Sequence, residues 1–150
     1  MAAKLTLSKH IAAPLERVFS VFTDFAHAAE NIRGIKKLEL LTHGQIGVGT
    51  KFRETRIMFG KSATETMEIT DFQPGRSYSF GGQSCGAIYR TRLDFRPEGG
   101  GTTVDMEFGA TPVSFFAKLM SPLSAFMMKA CRKAMEQDLA DLKAVAERKA

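Results

Sequence analysis

The chain has 150 residues, of which 44% are hydrophobic and 25% are charged, and its formal net charge is +5. That length is typical of one domain, here spanning residues 1–150, and it allows roughly 70% of the unfolded chain's surface to be buried. The composition argues against disorder and against a fibrous repeat. Basic residues are scattered among acids along the chain, so we expect no nucleic-acid binding.

Signals for a membrane, for export or for a metal are missing from the sequence. The first ten residues lack the apolar core of a signal peptide, so a cytoplasmic protein is expected. Cys85 and Cys131 lie far apart without metal-ligand spacing, and we expect both to be reduced. The least charged stretch of the C-terminal part, residues 119–128, is far shorter than the ~20 apolar residues that cross a bilayer. We predict no transmembrane segment, no metal and no cofactor.

The chain begins with a strand pattern that changes to helical spacing. Polarity alternates from Lys4 to Ile11, which is typical of a half-buried strand. Pro14 then begins a short amphipathic helix. Its apolar positions are Leu15, Val18, Phe19 and Phe22. Asp24 is placed to cap a second short helix that runs through Asn31.

From Ile35 the apolar period changes to two, and six strand-like runs follow. The runs are 36–41, 50–58, 61–72, 77–83, 87–95 and 102–110. Because the turns between them are short enough for hairpins, we expect an antiparallel meander. Gly81-Gly82 lies inside one run, where we expect a bend of the sheet.

The last segment, from Ser114 to the C-terminus, is predicted to be helical, with a kink or a restart at Ser121-Pro122. An apolar ridge then recurs every four residues and drifts slowly around a helix of 3.6 residues per turn. The ridge is Leu123, Met127, Cys131, Met135 and Leu139. This helix is expected to cover a twisted sheet and to leave a hollow beneath it.

The hollow is the candidate binding site, and strand alternation predicts which side chains face it. The predicted apolar lining is Phe52, Met67, Ile69, Tyr78, Phe80, Tyr89, Leu93, Phe95, Val104, Met106 and Phe108. The C-terminal helix is expected to add Leu123, Phe126 and Met127. The alternative is that these side chains simply fill the core, as buried apolar residues usually do.

Three charged residues share the predicted inner face of one hairpin. If Phe59-Gly60 is a two-residue turn, Glu54 faces Glu65 across the hairpin, and Arg56 follows on the same face. Opposed like charges destabilise, so either Arg56 lies between them or one carboxyl has a raised pKa. We interpret the group as a polar anchor or an acid/base group at one end of the cavity. The alternative is a charge cluster in solvent.

Other polar motifs do not form a site. His10, His27 and His43 have no metal-ligand spacing and are expected at the surface. The predicted C-terminal helix carries two pairs of neighbouring apolar residues, Phe115-Phe116 and Met127-Met128. Neighbouring residues are too far apart around a helix to lie in one narrow stripe, so part of this apolar surface is expected to be exposed. An exposed apolar surface of this kind fits the mouth of a pocket, peripheral contact with a membrane or the interface of a homodimer. The sequence is compatible with a monomer or a homodimer.

Five stretches of the sequence carry a family resemblance that covers nearly the whole chain. They are HIAAPLERVFSVFTDF, GVGTKFRETRIMFGK, TDFQPGRSYSF, GGGTTVDMEF and FFAKLMSPLSAFMMKACRKAMEQDLADLKAVAE. They resemble the SRPBCC superfamily of START-like, Bet v 1-like helix-grip proteins, in its polyketide cyclase/dehydrase-like branch. The resemblance implies an α+β fold in which a curved seven-stranded antiparallel sheet surrounds a long C-terminal helix, with two short helices between strands 1 and 2.

The resemblance also implies a cavity that different members use for lipids, plant hormones, polyketides, quinones or other hydrophobic molecules. It does not imply catalysis. No family catalytic set can be placed on this sequence, and Glu54, Arg56, Glu65 and Tyr89 face the pocket by pattern alone.

Three functions are compatible with these observations. The first is binding or carrying of a small hydrophobic ligand. The second is an enzyme of the cyclase, aromatase or dehydratase type, in which Glu54 or Glu65 moves a proton and Arg56 holds an enolate or carboxylate. The third is a protein-interaction module that uses the exposed phenylalanine and methionine side chains of the last helix.

Overall fold

Seven antiparallel strands form one curved, open sheet in the computed structural model, which describes residues 3–58, 60–84, 86–114 and 124–148. The strands are β1 (Ala3–Ile11), β2 (Ile35–Leu40), β3 (Lys51–Met58), β4 (Lys61–Gln73), β5 (Ser77–Ser84), β6 (Ala87–Glu98) and β7 (Gly101–Pro112). Their order in the sheet is β1-β7-β6-β5-β4-β3-β2. The helices are α1 (Leu15–Phe22), α2 (Ala28–Asn31) and α3 (Ser124–Glu147), and a 3-10 turn at Phe25–His27 precedes α2.

This architecture confirms the predicted α+β helix-grip fold, with its seven-stranded sheet, its two short helices between β1 and β2 and its long C-terminal helix. The predicted strand boundaries lie within a few residues of the observed ones because the turns are marked by glycine and proline. No described helix combines the length and the apolar character that a membrane span requires.

The connection from β1 to β2 differs in detail from the prediction. Pro14 directly precedes α1, and its carbonyl accepts the first helical hydrogen bond from the backbone N–H of Val18 at 3.0 Å. The predicted cap at Asp24 is wrong, since its side chain caps no backbone N–H. Both carboxylate oxygens of Asp24 instead lie 2.9 Å from Nδ1 of His27. The side chain is therefore engaged by the imidazole rather than by the helix end.

Aromatic rings join the short helices to the sheet. The ring of Phe19, on α1, lies edge-on to Phe95 with a centroid distance of 5.1 Å and to Phe72 at 5.7 Å. Phe25 stacks on Phe52 at 5.0 Å. Such pairs add about 0.5–1.5 kcal/mol each beyond the area they bury. These contacts hold the short helices against one end of the sheet.

The C-terminal helix reaches the sheet mainly at its edge. Its backbone approaches β1 and also packs on α1 and α2, whereas α1 packs on β6 and β7. Leu139, Leu142 and Ala146 are buried, with exposed fractions of 2%, 7% and 1%. The helix is thus packed along its C-terminal half, and the centre of the sheet is left for other side chains and for a cavity.

Side-chain hydrogen bonds fix the C-terminal end of α3. The Arg17 guanidinium donates to the backbone carbonyls of Ala146 at 2.7 Å, Val145 at 3.2 Å and Arg148 at 3.0 Å. Carbonyls in the last turn of a helix lack intrahelical partners, and a cation there also complements the helix dipole. The Glu147 carboxylate accepts a hydrogen bond from the Ala12 backbone N–H at 2.7 Å. The end of α3 is therefore tied to both β1 and α1.

Burial decreases towards the other end of α3. On the predicted ridge Leu139 is buried, Met135 and Cys131 are half-buried, and Met127 is 44% exposed. Phe126 is 63% exposed. Leu123, Phe115-Phe116 and the predicted kink at Ser121-Pro122 lie outside the described residues.

The glycine pair inside β5 is required by close approach of the neighbouring strands. A Cβ on Gly81 would lie 2.2 Å from the carbonyl oxygen of Tyr89, and a Cβ on Gly82 would lie 2.5 Å from that of Thr66. Both distances are well below van der Waals contact. The β4–β5 ladder also shifts its register between Ile69 and Asp71. Glycine thus allows a local distortion of the central strands.

We expect Gly81→Ala to destabilise the fold by about 2–3 kcal/mol, because the added methyl group must push the Tyr89 backbone out of the ladder. Gly47→Ala is the matched control, since a Cβ there meets nothing within 4 Å and the backbone is not left-handed. Its stability should change by less than ~0.5 kcal/mol or rise slightly. Urea unfolding followed by circular dichroism measures both, and equal midpoints for the two variants would contradict the steric argument.

Candidate functional site

A cavity of about 80 Å³ lies between the sheet and the three helices. Seven residues predicted from strand alternation line it, namely Phe52, Glu54, Arg56, Tyr78, Phe80, Leu93 and Met106. The rest of the lining comes from the short helices, β2 and α3, and comprises Val21, Phe22, Asp24, Phe25, Ala28, Ile32, Ile35, Leu38, Asp138 and Leu142. The lining is apolar apart from Asp24, the Tyr78 hydroxyl and the group of Glu54, Arg56 and Asp138, which we call the charged corner.

The size of this cavity limits what can enter without rearrangement. A volume of about 80 Å³ has room for several water molecules or for part of a small ligand. Pockets that enclose drug-sized ligands usually measure about 300–1,000 Å³. A larger ligand therefore has to displace side chains or extend past the described cavity.

The other predicted lining residues lie elsewhere. Phe108 is buried and its ring stacks against Tyr89 at 6.0 Å. Met67 is half-buried against the core. Ile69, Phe95 and Val104 are buried in the core. Phe126 and Met127 are exposed, and Leu123 lies outside the described residues. Ligand contact by any predicted residue stays a prediction.

The register predicted for the β3–β4 hairpin is confirmed. Glu54 pairs with Glu65, and Phe52 pairs with Met67. Both glutamates are half-buried, and Glu54 lines the cavity whereas Glu65 is not part of its wall. The two opposed carboxylates therefore belong to different surroundings, although they sit on one rung of the ladder.

Arg56 forms the centre of the charged corner, and its main partner comes from α3. Its Nη1 and Nη2 donate to the two carboxylate oxygens of Asp138 at 3.1 and 2.6 Å, and its Nε donates to Glu54 Oε2 at 2.9 Å. The side chains of Arg56, Glu54 and Asp138 are 19%, 15% and 12% exposed. This two-pronged contact is the strongest geometry available to a guanidinium and a carboxylate. Arg56 thus joins β3 to α3.

The pKa values in this corner follow from burial and charge. Burial lowers the pKa of the Arg56 guanidinium, but the hydrogen bonds and charges of Asp138 and Glu54 outweigh it, so the pKa stays above its ordinary value. Burial raises the pKa of the Asp138 carboxyl, and the contact with Arg56 only partly offsets this. Repulsion from Glu54 and Asp141 raises it further. Arg56 therefore remains a cation that is shared by two carboxyl groups.

Gly34 makes room for the guanidinium. A Cβ at this position would lie 2.8 Å from Arg56 Nη1 and 3.6 Å from Asp138 Oδ1. The atom that would be displaced belongs to a side chain that is held by hydrogen bonds on both of its edges. A residue with a side chain at position 34 would thus disturb the Arg56–Asp138 contact.

A second aspartate, Asp141, lies about one helical turn after Asp138 on α3. It binds Arg33, which precedes Gly34 in the connection between α2 and β2. The Asp141 carboxylate accepts hydrogen bonds from the Arg33 backbone N–H at 2.9 Å and from the Arg33 guanidinium at 3.1 and 3.0 Å. Gln137 donates to it at 2.9 Å. Burial alone would raise the pKa of Asp141, but these bonds hold it below its ordinary value. Asp141 is therefore ionised at neutral pH.

Sequence reasoning missed Asp138 and Asp141, which are both buried. Each aspartate directly precedes a leucine of the apolar stripe, Leu139 and Leu142, so each lies at the border of the buried face. A carboxylate in that position of an amphipathic helix needs a cation from a neighbouring element. The position of each aspartate next to the apolar stripe was the signal that the sequence offered. It does not show which cation binds the carboxylate.

Other ionisable groups near the core have structural partners. The Tyr78 hydroxyl donates to the backbone carbonyl of Phe22 at 3.3 Å, and burial raises the pKa of this phenol. Burial also raises the pKa of the Cys131 thiol, so it is a poor nucleophile at neutral pH. Within the described ranges, no group of three or more histidine, cysteine, aspartate or glutamate side chains is placed to hold a metal ion.

A larger depression of about 390 Å³ lies on the outer side of β1, β7 and β6. Its charged side chains pair with each other or with nearby residues: Arg92 binds Asp94 at 2.9 Å, and Ser8 donates to Asp105 at 2.8 Å. It lacks the apolar lining that favours a hydrophobic ligand. The smaller, inner cavity is therefore the better candidate site.

The curved seven-stranded sheet, the two short helices and the long C-terminal helix define a helix-grip protein. A family model described as polyketide cyclase / dehydrase and lipid transport matches residues 2–147, and the chain belongs to that family. No curated protein matches the sequence.

Solved structures show the same fold at low identity. The Zhui aromatase/cyclase of Streptomyces sp. R1128 is 16% identical, with a TM-score of 0.85 over 99% of this chain and 95% of that one. A protein of Thermus thermophilus is 21% identical, with a TM-score of 0.79 over 96% and 97% of the two chains. The major latex-like protein 151 of Panax ginseng is 13% identical, with a TM-score of 0.79 over 98% and 99%. These similarities establish the fold and leave the ligand open.

We expect Arg56→Met to destabilise the protein by about 3 kcal/mol at neutral pH, because it leaves two poorly solvated carboxylates without their cation. Without Arg56, the folded-state pKa of these carboxyls should exceed the unfolded value. Such groups contribute stability at low pH and lose it as the pH rises, so the deficit relative to wild type should shrink between pH 7 and pH 4.

Arg53→Met is the matched control, since Arg53 lies on the same strand with its side chain 45% exposed and 4.0 Å from Glu39. Its cost should stay below ~1 kcal/mol, as for other surface pairs. Urea unfolding at a series of pH values checks both variants. A deficit for Arg56→Met that grows on acidification would contradict the assignment.

Proposed function

We propose that this protein binds and carries a small hydrophobic molecule in the cavity between the sheet and the C-terminal helix. The observation that supports the proposal is a largely apolar lining with one charged corner, whose groups already bind one another. Each methylene group that a ligand buries in such a lining gains ~0.8 kcal/mol. Affinity would therefore come mainly from the apolar wall.

The arrangement of the helices also supports a carrier. The C-terminal half of α3 is fixed by packing and by side-chain hydrogen bonds, whereas Phe126 and Met127, near the start of the described helix, are exposed. Rigid anchoring at one end keeps the cavity open between the elements. The family description, which includes lipid transport, is consistent with this use of the fold.

Filling the cavity tests this proposal. Ala28 lines the cavity and is buried, whereas its neighbour Ala29 is exposed on the same short helix. We expect Ala28→Leu to weaken binding of a neutral apolar dye such as Nile red at least tenfold, because the larger side chain occupies the space. Ala29→Leu should bind like wild type. Fluorescence titration measures the affinities, and circular dichroism confirms that both variants fold.

The proposed function would be wrong if the wild-type protein bound no apolar dye and yielded no small molecule on solvent extraction. It would also be wrong if Ala28→Leu and Ala29→Leu bound the dye equally, because binding would then occur outside the cavity.

A cyclase, aromatase or dehydratase is the second candidate, and one observation favours it. Asp138 lies in the cavity wall, and burial raises the pKa of its carboxyl, as is common for general acids. Glu54 binds the same guanidinium through Arg56 Nε, whereas Asp138 binds Nη1 and Nη2. A proton that passed from a bound substrate to either carboxyl would remove a negative charge that compensates Arg56, which opposes the transfer.

Incubation with a linear poly-β-keto thioester, followed by mass spectrometry of the products, tests catalysis. If the protein is such an enzyme, Asp138→Asn should lower the rate of cyclised product at least a hundredfold, within the usual range for loss of a general acid or base. Glu65→Gln serves as the control, since Glu65 lies outside the described cavity wall. The same rate with wild type, Asp138→Asn and no protein would exclude this activity.

A further inference from the structure

The charged corner of the cavity contains more hydrogen-bond acceptors than donors. The carboxyl groups of the whole cavity wall are Asp24, Glu54 and Asp138, and its cation is Arg56. Asp24 faces His27, whose pKa it raises, so that pair is close to balanced once the imidazole is protonated. The excess of negative charge therefore lies with Glu54 and Asp138, which share one guanidinium.

Arg56 is poorly placed to bind an acidic ligand. Three of its N–H groups already bind carboxylates, through Nε, Nη1 and Nη2. Arg56 Nη1 is also close to Gly34, since a Cβ built on Gly34 would lie 2.8 Å from it. A ligand carboxylate would have to replace Asp138 in a two-pronged contact, and the displaced Asp138 would then lie in the apolar wall without a partner. That exchange is unfavourable.

Two of the five Arg56 N–H groups are not used in the three bonds to Asp138 and Glu54, and the Tyr78 hydroxyl adds no free donor to them. The Tyr78 hydroxyl proton is committed to the backbone carbonyl of Phe22 at 3.3 Å. Each carboxylate oxygen of Glu54 and Asp138, by contrast, has two lone pairs and can accept more than one hydrogen bond. A polar group that enters this corner therefore meets acceptors and negative charge.

We propose that the ligand's polar end is an uncharged or cationic hydrogen-bond donor, a hydroxyl or a protonated amine, and that Glu54 and Asp138 bind it while the cavity rejects carboxylates. This inference rests on the proposed ligand binding and assigns the chemical class of the ligand. Its apolar part lies against the aromatic and aliphatic wall. The donor group lies at the Glu54–Arg56–Asp138 corner.

Competition with the bound neutral dye tests the ligand class at pH 7. Octylamine, octanol and octanoate share one apolar chain and differ only in the polar end, so the apolar contribution cancels in the comparison. We expect octylamine to displace the dye at the lowest concentration and octanol next. Octanoate should need at least a tenfold higher concentration than octanol.

A charge-removing variant assigns the effect to this corner. Glu54→Gln keeps the shape of the side chain and an acceptor for Arg56, and it should reduce the preference for octylamine over octanoate at least fivefold. Glu68→Gln is the control, because the Glu68 side chain is 48% exposed and pairs with Lys51 outside the cavity wall. It should leave the preference unchanged.

The outcomes separate this inference from the proposed function. If the dye binds and octanoate competes as well as octanol or octylamine, the ligand class is wrong and the carrier function stands. If the preference exists but Glu54→Gln leaves it unchanged, the assignment to this corner is wrong. If wild type binds no dye and yields no small molecule on solvent extraction, both proposals fail together.

Discussion

The position of the C-terminal helix depends on two aspartates that reach arginines from other elements. Asp138 binds Arg56 of β3, and Asp141 binds Arg33 between α2 and β2. The backbone of α3 mainly approaches the edge strand β1 and the short helices. The ionic contacts define a distance, because each guanidinium must meet its carboxylate at hydrogen-bonding range.

These contacts provide position more than stability. Removing two charges from water costs about as much as their attraction returns, so a buried ion pair is weak evidence for stability. Losing only one partner is far more costly, since the other charge then stays buried alone. The poorly exposed Arg56–Asp138 pair therefore sets the distance between β3 and the helix, and the cavity lies beside it. The Arg33–Asp141 pair, whose guanidinium is largely exposed, ties the helix to the connection before β2.

Much of this arrangement could be predicted from the sequence, and the exceptions have physical reasons. Strand alternation and the two-residue turn expected between the strands predict the pairing of Glu54 with Glu65, because register is a local property once the turn length is known. The partners of Asp138 and Asp141 are set by tertiary packing. Arg33 lies in an irregular connection with no period, so no pattern relates it to a helix more than 100 residues later. The lining supplied by α2 was missed because this helix is four residues long and is too short to display an apolar period. The apolar spacing of α1 was predicted, but it does not show that Phe22 lines the cavity.

The charged corner is better suited to recognition than to proton transfer. A general acid or base must be able to exchange its proton with the substrate in the reacting geometry. Glu54 and Asp138 each accept hydrogen bonds from a guanidinium that keeps its charge, so protonating either carboxyl removes a negative charge that compensates this cation in a largely apolar wall. Accepting one more hydrogen bond from a ligand requires no such loss of charge. The same three side chains that position the helix can therefore orient a ligand while they remain bound to one another.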